Sequence, residues 1–255
     1  MGVKRRLPPT EQVHPRSLTL HSLPTLTIIE RLHREDRVAV NSVKPLLKSI
    51  ARAADVIASA LATGGRLIYV GAGTSGRLAA LDAAECPPTF GTPPGLVSAV
   101  VAGGERALLH AVEGAEDNRA AAARAMRRLK LTGQDVVCGV SASARTPFVL
   151  EALKSARAAG CHTLLVCCNP DATRAPVADL VLAAATGAEL VAGSTRLKAG
   201  TATKLILNAL STAAMVRLGR VYAGRMVDLK PTNRKLKARA QRIRAELSTR
   251  RRPKS

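Results

Sequence analysis

Five short apolar runs, at residues 66–71, 97–102, 135–140, 162–168 and 179–184, recur along the chain, separated by polar loops and stretches with apolar residues at helical spacing. A chain that alternates in this way returns each helix to start the next strand in the same direction, so helices come to cover both faces of one sheet. The pattern predicts an α/β fold with a mostly parallel, five-stranded sheet. Helices are predicted at about 76–84, 105–113, 117–129 and 147–159. A longer one is predicted at about 195–219, where Leu205, Leu207, Leu210, Ala214 and Leu218 supply a buried stripe. Ahead of the first strand, Val40, Val43, Leu47, Ile50, Ala54, Ile57 and Leu61 read as an amphipathic helix stopped at Gly64-Gly65. Three segments follow: an irregular and then helical N-terminal part at 1–56, the sheet-forming domain at 57–220, and a basic, helix-prone C-terminal segment at 221–255.

A chain of 255 residues suits one well-cored main domain. Aromatic residues make up 2% of it and Trp is absent, so Ala, Val, Leu and Ile must fill the core. The cysteines, Cys86, Cys138, Cys161, Cys167 and Cys168, and the histidines, His14, His21, His33, His110 and His162, show no metal-ligand spacing, and no metal site is predicted. Cys86 adjoins Glu85, yet no base or cation that would make it a thiolate is identifiable, and packing is the preferred role. No apolar window reaches the roughly 18 residues of a membrane span. The basic start Met1-Gly-Val-Lys-Arg-Arg leads into Leu7-Pro-Pro rather than an apolar signal core, so a cytoplasmic location is expected. The net charge of +21 is concentrated near the end: 14 Lys or Arg in 217–255 stand against Asp228 and Glu246. Without stacking aromatics or a nucleic-acid module, the tail reads as a solvated end rather than a specific reader of nucleic acid.

Three loops carry hydroxyl or basic side chains at strand ends or helix mouths, where open parallel sheets bind ligands. In Gly71-Ala-Gly73-Thr74-Ser75-Gly76, glycines permit close backbone approach and a helix start offers N–H groups to an anion. The same glycines match a dinucleotide fingerprint, but the second strand ends Val101-Ala-Gly-Gly104, without the carboxylate that would hold a ribose. Ser141-x-Ser143-x-x-Thr146 reads equally as a helix cap and as an anion loop; beside the first loop, the phosphate reading is favoured. The third loop, Gly193-Ser194-Thr195-Arg196-Leu197-Lys198, adds two hydroxyls and two cations, Arg196 and Lys198, for which a solvated role is nearly as good a reading. Glu85 lies just ahead of Pro87-Pro88, which cannot continue a helix, so its carboxylate is expected at a defined turn. Glu116 follows a glycine turn, where Asp117 or Asn118 is expected to cap the next helix.

Longer motifs carry a more specific signal. The runs Gly71–Gly91, Ala102-Gly-Gly-Glu-Arg-Ala-Leu108 with Glu113-Gly-Ala-Glu-Asp117, Gly193-Ser-Thr-Arg-Leu-Lys-Ala-Gly-Thr-Ala202, Asn208-Ala-Leu-Ser-Thr212 and Met226-Val-Asp-Leu-Lys-Pro-Thr-Asn233 resemble the N-acetylmuramic acid 6-phosphate etherases, from Thr10-Glu11 to about Ile243. The resemblance implies a sugar isomerase (SIS) domain, a five-stranded parallel sheet flanked by helices, holding a phosphorylated amino sugar at Gly73, Thr74, Ser75, Ser141, Ser143, Thr146, Ser194, Thr195 and Lys198. It further implies Glu85 and Glu116 as the catalytic acid and base, a homodimer, no metal or other cofactor, and a place in N-acetylmuramate catabolism and peptidoglycan recycling. The reaction implied is cleavage of the D-lactyl ether to N-acetylglucosamine 6-phosphate and D-lactate, by loss of the C2 proton and of lactate from C3, then addition of water. Glu116 is assigned the C2 proton and Glu85 the lactate oxygen and the incoming water.

The chain departs from the family at Ser141 and Ala144, where Ala and Gly are more usual, and at His14 and His21, where Asn and Asp are. Ala144 is expected to tighten its loop if that position needs positive φ. The sequence also ends soon after Ile243, ahead of the small helical subdomain that typically closes the family. Two further functions share the fold: a phosphosugar sensor resembling the glucokinase regulatory protein, which needs no glutamate pair, and a sugar-phosphate isomerase, which needs a base alone. The paired glutamates favour the etherase.

Overall fold

The computed structural model describes residues 7–173 and 177–226; most of the basic segment expected at 221–255 lies outside them. Five strands, β1 (Leu67–Gly71), β2 (Val97–Val101), β3 (Val136–Val140), β4 (His162–Cys167) and β5 (Leu180–Ala183), pair in parallel in the order β2-β1-β3-β4-β5. They follow the predicted runs because short stretches rich in Val, Ile and Leu, buried on both faces, have no better place than a covered sheet. Alternate side chains supply two cores. Leu67, Tyr69, Val136, Cys138, Val140, Leu164, Val166 and Leu182 face α1 (Thr25–Val43), α2 (Leu47–Ala62), α3 (Gly73–Phe90) and α7 (Lys198–Arg217). Ile68, Val70, Val137, Leu165 and Cys167 face α5 (Arg119–Arg128) and α6 (Pro147–Ala158).

The chain leaves β1 through α3 on one face and leaves β3 through α6 on the other. The two connections diverge, and a crevice opens at the carboxyl ends of β1 and β3. Gly71 pairs in register with Val140, so the first two hydroxyl loops leave the sheet side by side.

Three helices differ from expectation. The single helix read from the 40–61 periodicity is two, α1 and α2, separated by a 3₁₀ turn at Lys44–Leu46, because Pro45 supplies no N–H to continue the ladder. The helix expected at 105–113 shrinks to α4 (Arg106–Leu109), followed by extended backbone at His110 and a left-handed Gly114. The Pro87-Pro88 pair does not end α3, which runs through both prolines to Phe90 and stops where Gly91 turns left-handed and donates to Pro87 O at 3.0 Å. The φ of proline is helical, and in the last turn the lost ladder bonds are few. Glu85 therefore stands on a helix and not at a turn.

The backbone of the two central loops is tightly specified. A Cβ on Gly71 would stand 2.7 Å from Gly76 N, and one on Gly76 would stand 2.9 Å from Gly71 O and 2.8 Å from Val101 Cγ1, so strand end and helix start meet backbone to backbone. Gly73 has φ +53°, and Ala144 in the second loop has φ +59°. Ala144 therefore occupies the left-handed region, which its Cβ disfavours. Below the loops, Arg66 and Asp135 clamp the starts of β1 and β3. The guanidinium donates to Asp135 Oδ1 at 3.0 Å and Oδ2 at 2.7 Å, and the Arg66 amide donates to Oδ1 at 2.9 Å. Burial opposes the charge of Asp135, but the bonds from Arg66 and from the Thr132 amide outweigh it and hold the carboxyl below its usual range.

Ala144→Gly should stabilise the protein by about 1 kcal/mol, read as a higher urea midpoint at unchanged slope. Arg66→Ala should destabilise it by about 1–3 kcal/mol at neutral pH. Because the folded pKa of Asp135 is depressed, its contribution is complete above the unfolded value of about 3.9 and disappears as pH falls through the folded one. Urea titrations at pH 7 and at successively lower pH should show the gap between the variant and the parent closing only in acid.

Candidate active site

The three loops offer an anion unequal resources. At α3, the ladder begins with Gly76 N–H donating to Ala72 O at 3.2 Å, so the N–H groups of Gly73, Thr74 and Ser75 precede it and point out of the helix start. The Thr74 and Ser75 side chains, half-buried, make no hydrogen bond to other described residues. Positive helix polarity, three amides and two hydroxyls thus converge at one mouth.

The second loop is held by its own members. Ser141 Oγ and Thr146 Oγ1 lie 2.8 Å apart, and Ser143 Oγ accepts from the Arg145 amide at 3.2 Å. Asn169 after β4 donates to Ser143 O at 3.1 Å, and Cys168 N–H donates to Ala142 O at 2.9 Å. These hydroxyls are preset at the α6 start, beside the first loop.

The third loop reaches the same edge by running back along it after β5. The Cβ position of Gly200 lies 3.7 Å from Thr74 Cγ2 and 3.3 Å from Thr195 O, so the first turn of α7 stands next to both the first and the third loop. Its helix mouth, however, is already filled. Glu189 is 1% exposed, and its carboxylate accepts from the amides of Ala199 at 2.9 Å and Lys198 at 3.3 Å. Burial pushes the Glu189 carboxyl up, against the opposing pull of those amides and of Lys198.

Lys198 also departs from expectation: it is 2% exposed, and its ammonium bonds Glu35 on α1 rather than facing the loops. His14 Nε2 lies 3.4 Å from the other oxygen of Glu35, and Thr10 O accepts from Gly193 N–H at 3.0 Å. Glu189, Glu35 and His14 were invisible as a group because residues far apart in the chain meet there. Ser194 and Thr195 remain the open groups of this loop.

Glu116 does come to the first loop. It sits in a 3₁₀ turn, Ala115–Asp117, and lines a cleft of about 160 Å³ with Ala72, Gly73, Arg77, His110, Val112 and Glu113. Asn118, rather than Asp117, caps α5, accepting from Ala121 N–H at 2.9 Å. Glu85 is not in that cleft. It lies near the far end of α3, about 18 Å along the axis from Gly73 at 1.5 Å per residue, on an exposed face shared with Leu81, Ala84 and Pro88. Cys86 behind it is buried, donates to Asp82 O at 3.4 Å, and its thiol is pushed up to about 12 by burial, which makes it a packing residue.

A larger, more open hollow of about 430 Å³ lies at the opposite edge, among Asp55, Ser59, Thr63, Gln134 and His162, away from all three loops. Among the described residues, no helix is long and apolar enough to cross a membrane.

Comparison with known proteins bears on the fold and the family. Residues 41–157 match the model of the glucokinase regulatory protein N-terminal SIS domain. A phosphoheptose isomerase from Francisella tularensis superposes with a TM-score of 0.57 at 18% identity, covering 75% of this chain and 98% of that one, a likeness of fold. N-acetylmuramic acid 6-phosphate etherase of Edwardsiella ictaluri is 52% identical over 92% of this chain and 78% of its own length, and that of Salmonella typhimurium is 50% identical over 92% and 79%. With an SIS sheet, its crevice loops and this degree of identity along nearly the whole length, the chain belongs to the N-acetylmuramic acid 6-phosphate etherase family.

Proposed function

We propose that this protein is a cytoplasmic carbon–oxygen lyase that cleaves the D-lactyl ether of N-acetylmuramic acid 6-phosphate, giving N-acetylglucosamine 6-phosphate and D-lactate. The observation that carries the reading is the open mouth of α3, where the amides of Gly73, Thr74 and Ser75 precede the helix ladder and Gly73 lines one cleft with Glu116. The 6-phosphate sits at that mouth, with Ser141, Ser143 and Thr146 completing its shell and Ser194 and Thr195 meeting the sugar. Lys198, held by Glu35, acts on the site through the position of its loop.

With the sugar ring open, the C1 aldehyde acidifies the C2 proton. Glu116 removes that proton to give an enolate; the C3–O bond then breaks as Glu85 gives a proton to the departing lactate oxygen, leaving a C2=C3 double bond conjugated with the aldehyde. Water then adds: Glu85 takes one of its protons as the oxygen bonds C3, and Glu116 returns the proton to C2. Each carboxyl ends as it began.

Glu85 and Glu116 of one chain stand at opposite ends of α3, which argues for a site shared between two copies. Leu81, 53% exposed, with Ala84, Glu85 and Pro88, forms an i, i+3, i+4, i+7 stripe that is apolar apart from the carboxylate. A two-fold axis that crosses α3 midway between Gly73 and Glu85 packs the helix antiparallel to its counterpart and turns Glu85 of the partner subunit toward the Gly73 mouth. The match to a regulatory SIS model supports a second reading, a phosphosugar sensor without chemistry.

Purified protein given N-acetylmuramic acid 6-phosphate should release D-lactate, measured enzymatically. Binding without lactate would favour the sensor. Glu116→Gln should abolish solvent-deuterium incorporation at C2, whereas Glu85→Gln should retain it and block ether cleavage. Mixing the two inactive variants under subunit exchange should restore about a quarter of parental activity, since half the dimers are mixed and each has one intact site. No restoration would place both glutamates of a working site in one chain.

A further inference from the structure

Glu116 reaches the cleft on a segment with little regular structure of its own. After α4, whose Leu109 is 84% exposed, the chain runs extended through His110 and regains a turn bond only where Ala115 N–H donates to Val112 O at 3.3 Å. Two anchors tie this strap to the body. Val112 packs on Gly103, where an added Cβ would stand 3.0 Å from Val112 Cβ. The second anchor is Arg77, on the second turn of α3. Its Nε donates to Ala107 O and Leu108 O, each at 3.1 Å, and its Nη2 donates to His110 O at 3.2 Å. The guanidinium fork thus gathers carbonyls from the end of α4 and the start of the strap, satisfying groups that a short helix leaves open.

We propose that Arg77 is a positioning residue that locks the strap from His110 to Glu116 to the first turns of α3, so that Glu116 and the phosphate-binding mouth are held at one fixed separation. The proposal rests on the reading of Glu116 as the base at C2. Arg77 and the open amides of Gly73, Thr74 and Ser75 belong to the same rigid helix, so phosphate position and base position are referred to a single element. A carboxylate on an untethered strap would sample many placements, and small displacements of a base from its proton reduce the rate steeply. The ammonium of a lysine, a single point of donation, does not reproduce the planar fork across three carbonyls.

The test uses full-length Arg77→Ala and Arg77→Lys, followed by amide hydrogen exchange over the 106–117 segment, binding of N-acetylglucosamine 6-phosphate, and deuterium incorporation at C2. Both variants should exchange the strap amides at least about tenfold faster. C2 incorporation should fall by at least about tenfold, less for lysine than for alanine, while phosphosugar affinity stays within about threefold. Unchanged strap exchange would overturn the proposal, as would unchanged C2 incorporation in an active parent, or a loss of binding that parallels the loss of incorporation. If the parent itself neither incorporates deuterium nor releases lactate, the etherase reading fails on its own. Faster strap exchange in the variants then upholds the anchoring by Arg77, and unchanged exchange removes it.

Discussion

Everything at the candidate site hangs on the contact between Gly71 and Gly76, where the end of a central strand and the first turn of α3 touch without side chains between them. Any Cβ at either position would run into main-chain atoms of the other, with Val101 closing the remaining space. That approach fixes where α3 begins relative to β1 and β2, and hence where its first amides point. Since Gly71 is in register with Val140, the same contact sets the mouth of α3 beside the Ser141 loop. Arg66 and Asp135 hold that register from the opposite end of the two strands.

A second layer of control lies in buried charge. Glu189 fills the start of α7, and Lys198, Glu35 and His14 tie that start to the N-terminal helix and the segment before it. Buried ions of this kind are stable only when each has its partners, so Glu189 on its two amides and Lys198 on Glu35 together fix where the Ser194-Thr195 loop enters α7. One helix start is thereby left open for an external anion, and another is closed by an internal one. The chemical difference between α3 and α7 is a single glutamate delivered from the connection that follows β5.

Much of this was legible in the residues. Strand positions followed from apolar runs of the right length, and the first loop followed from glycine spacing and paired hydroxyls. The αL demand at Ala144 was anticipated from a glycine usual at that place. Other features were not legible, for local reasons. Pro87 and Pro88 predict a helix end, yet in a final turn they remove few bonds, and Glu85 rides on α3 instead of a turn. Lys198 in a loop of polar residues looks like a ligand for phosphate, and its partner Glu35 stands 163 positions away in sequence. Arg77 is one more cation in a basic chain until its fork is seen on three carbonyls.

The sequence by itself determined the class of fold, the family and the kinds of groups available, because periodicity, glycine chemistry and long ordered motifs are written in local order. Tertiary structure decided which of those groups are open and which are already engaged. It left the amides of α3 free and closed those of α7, turned Lys198 inward, brought Glu116 to the mouth on a strap, and carried Glu85 to the other end of the same helix. The physical reason is that a hydrogen-bonding group serves a ligand only if no nearer partner claims it, and the nearest partners are set by chain crossings that no stretch of sequence contains.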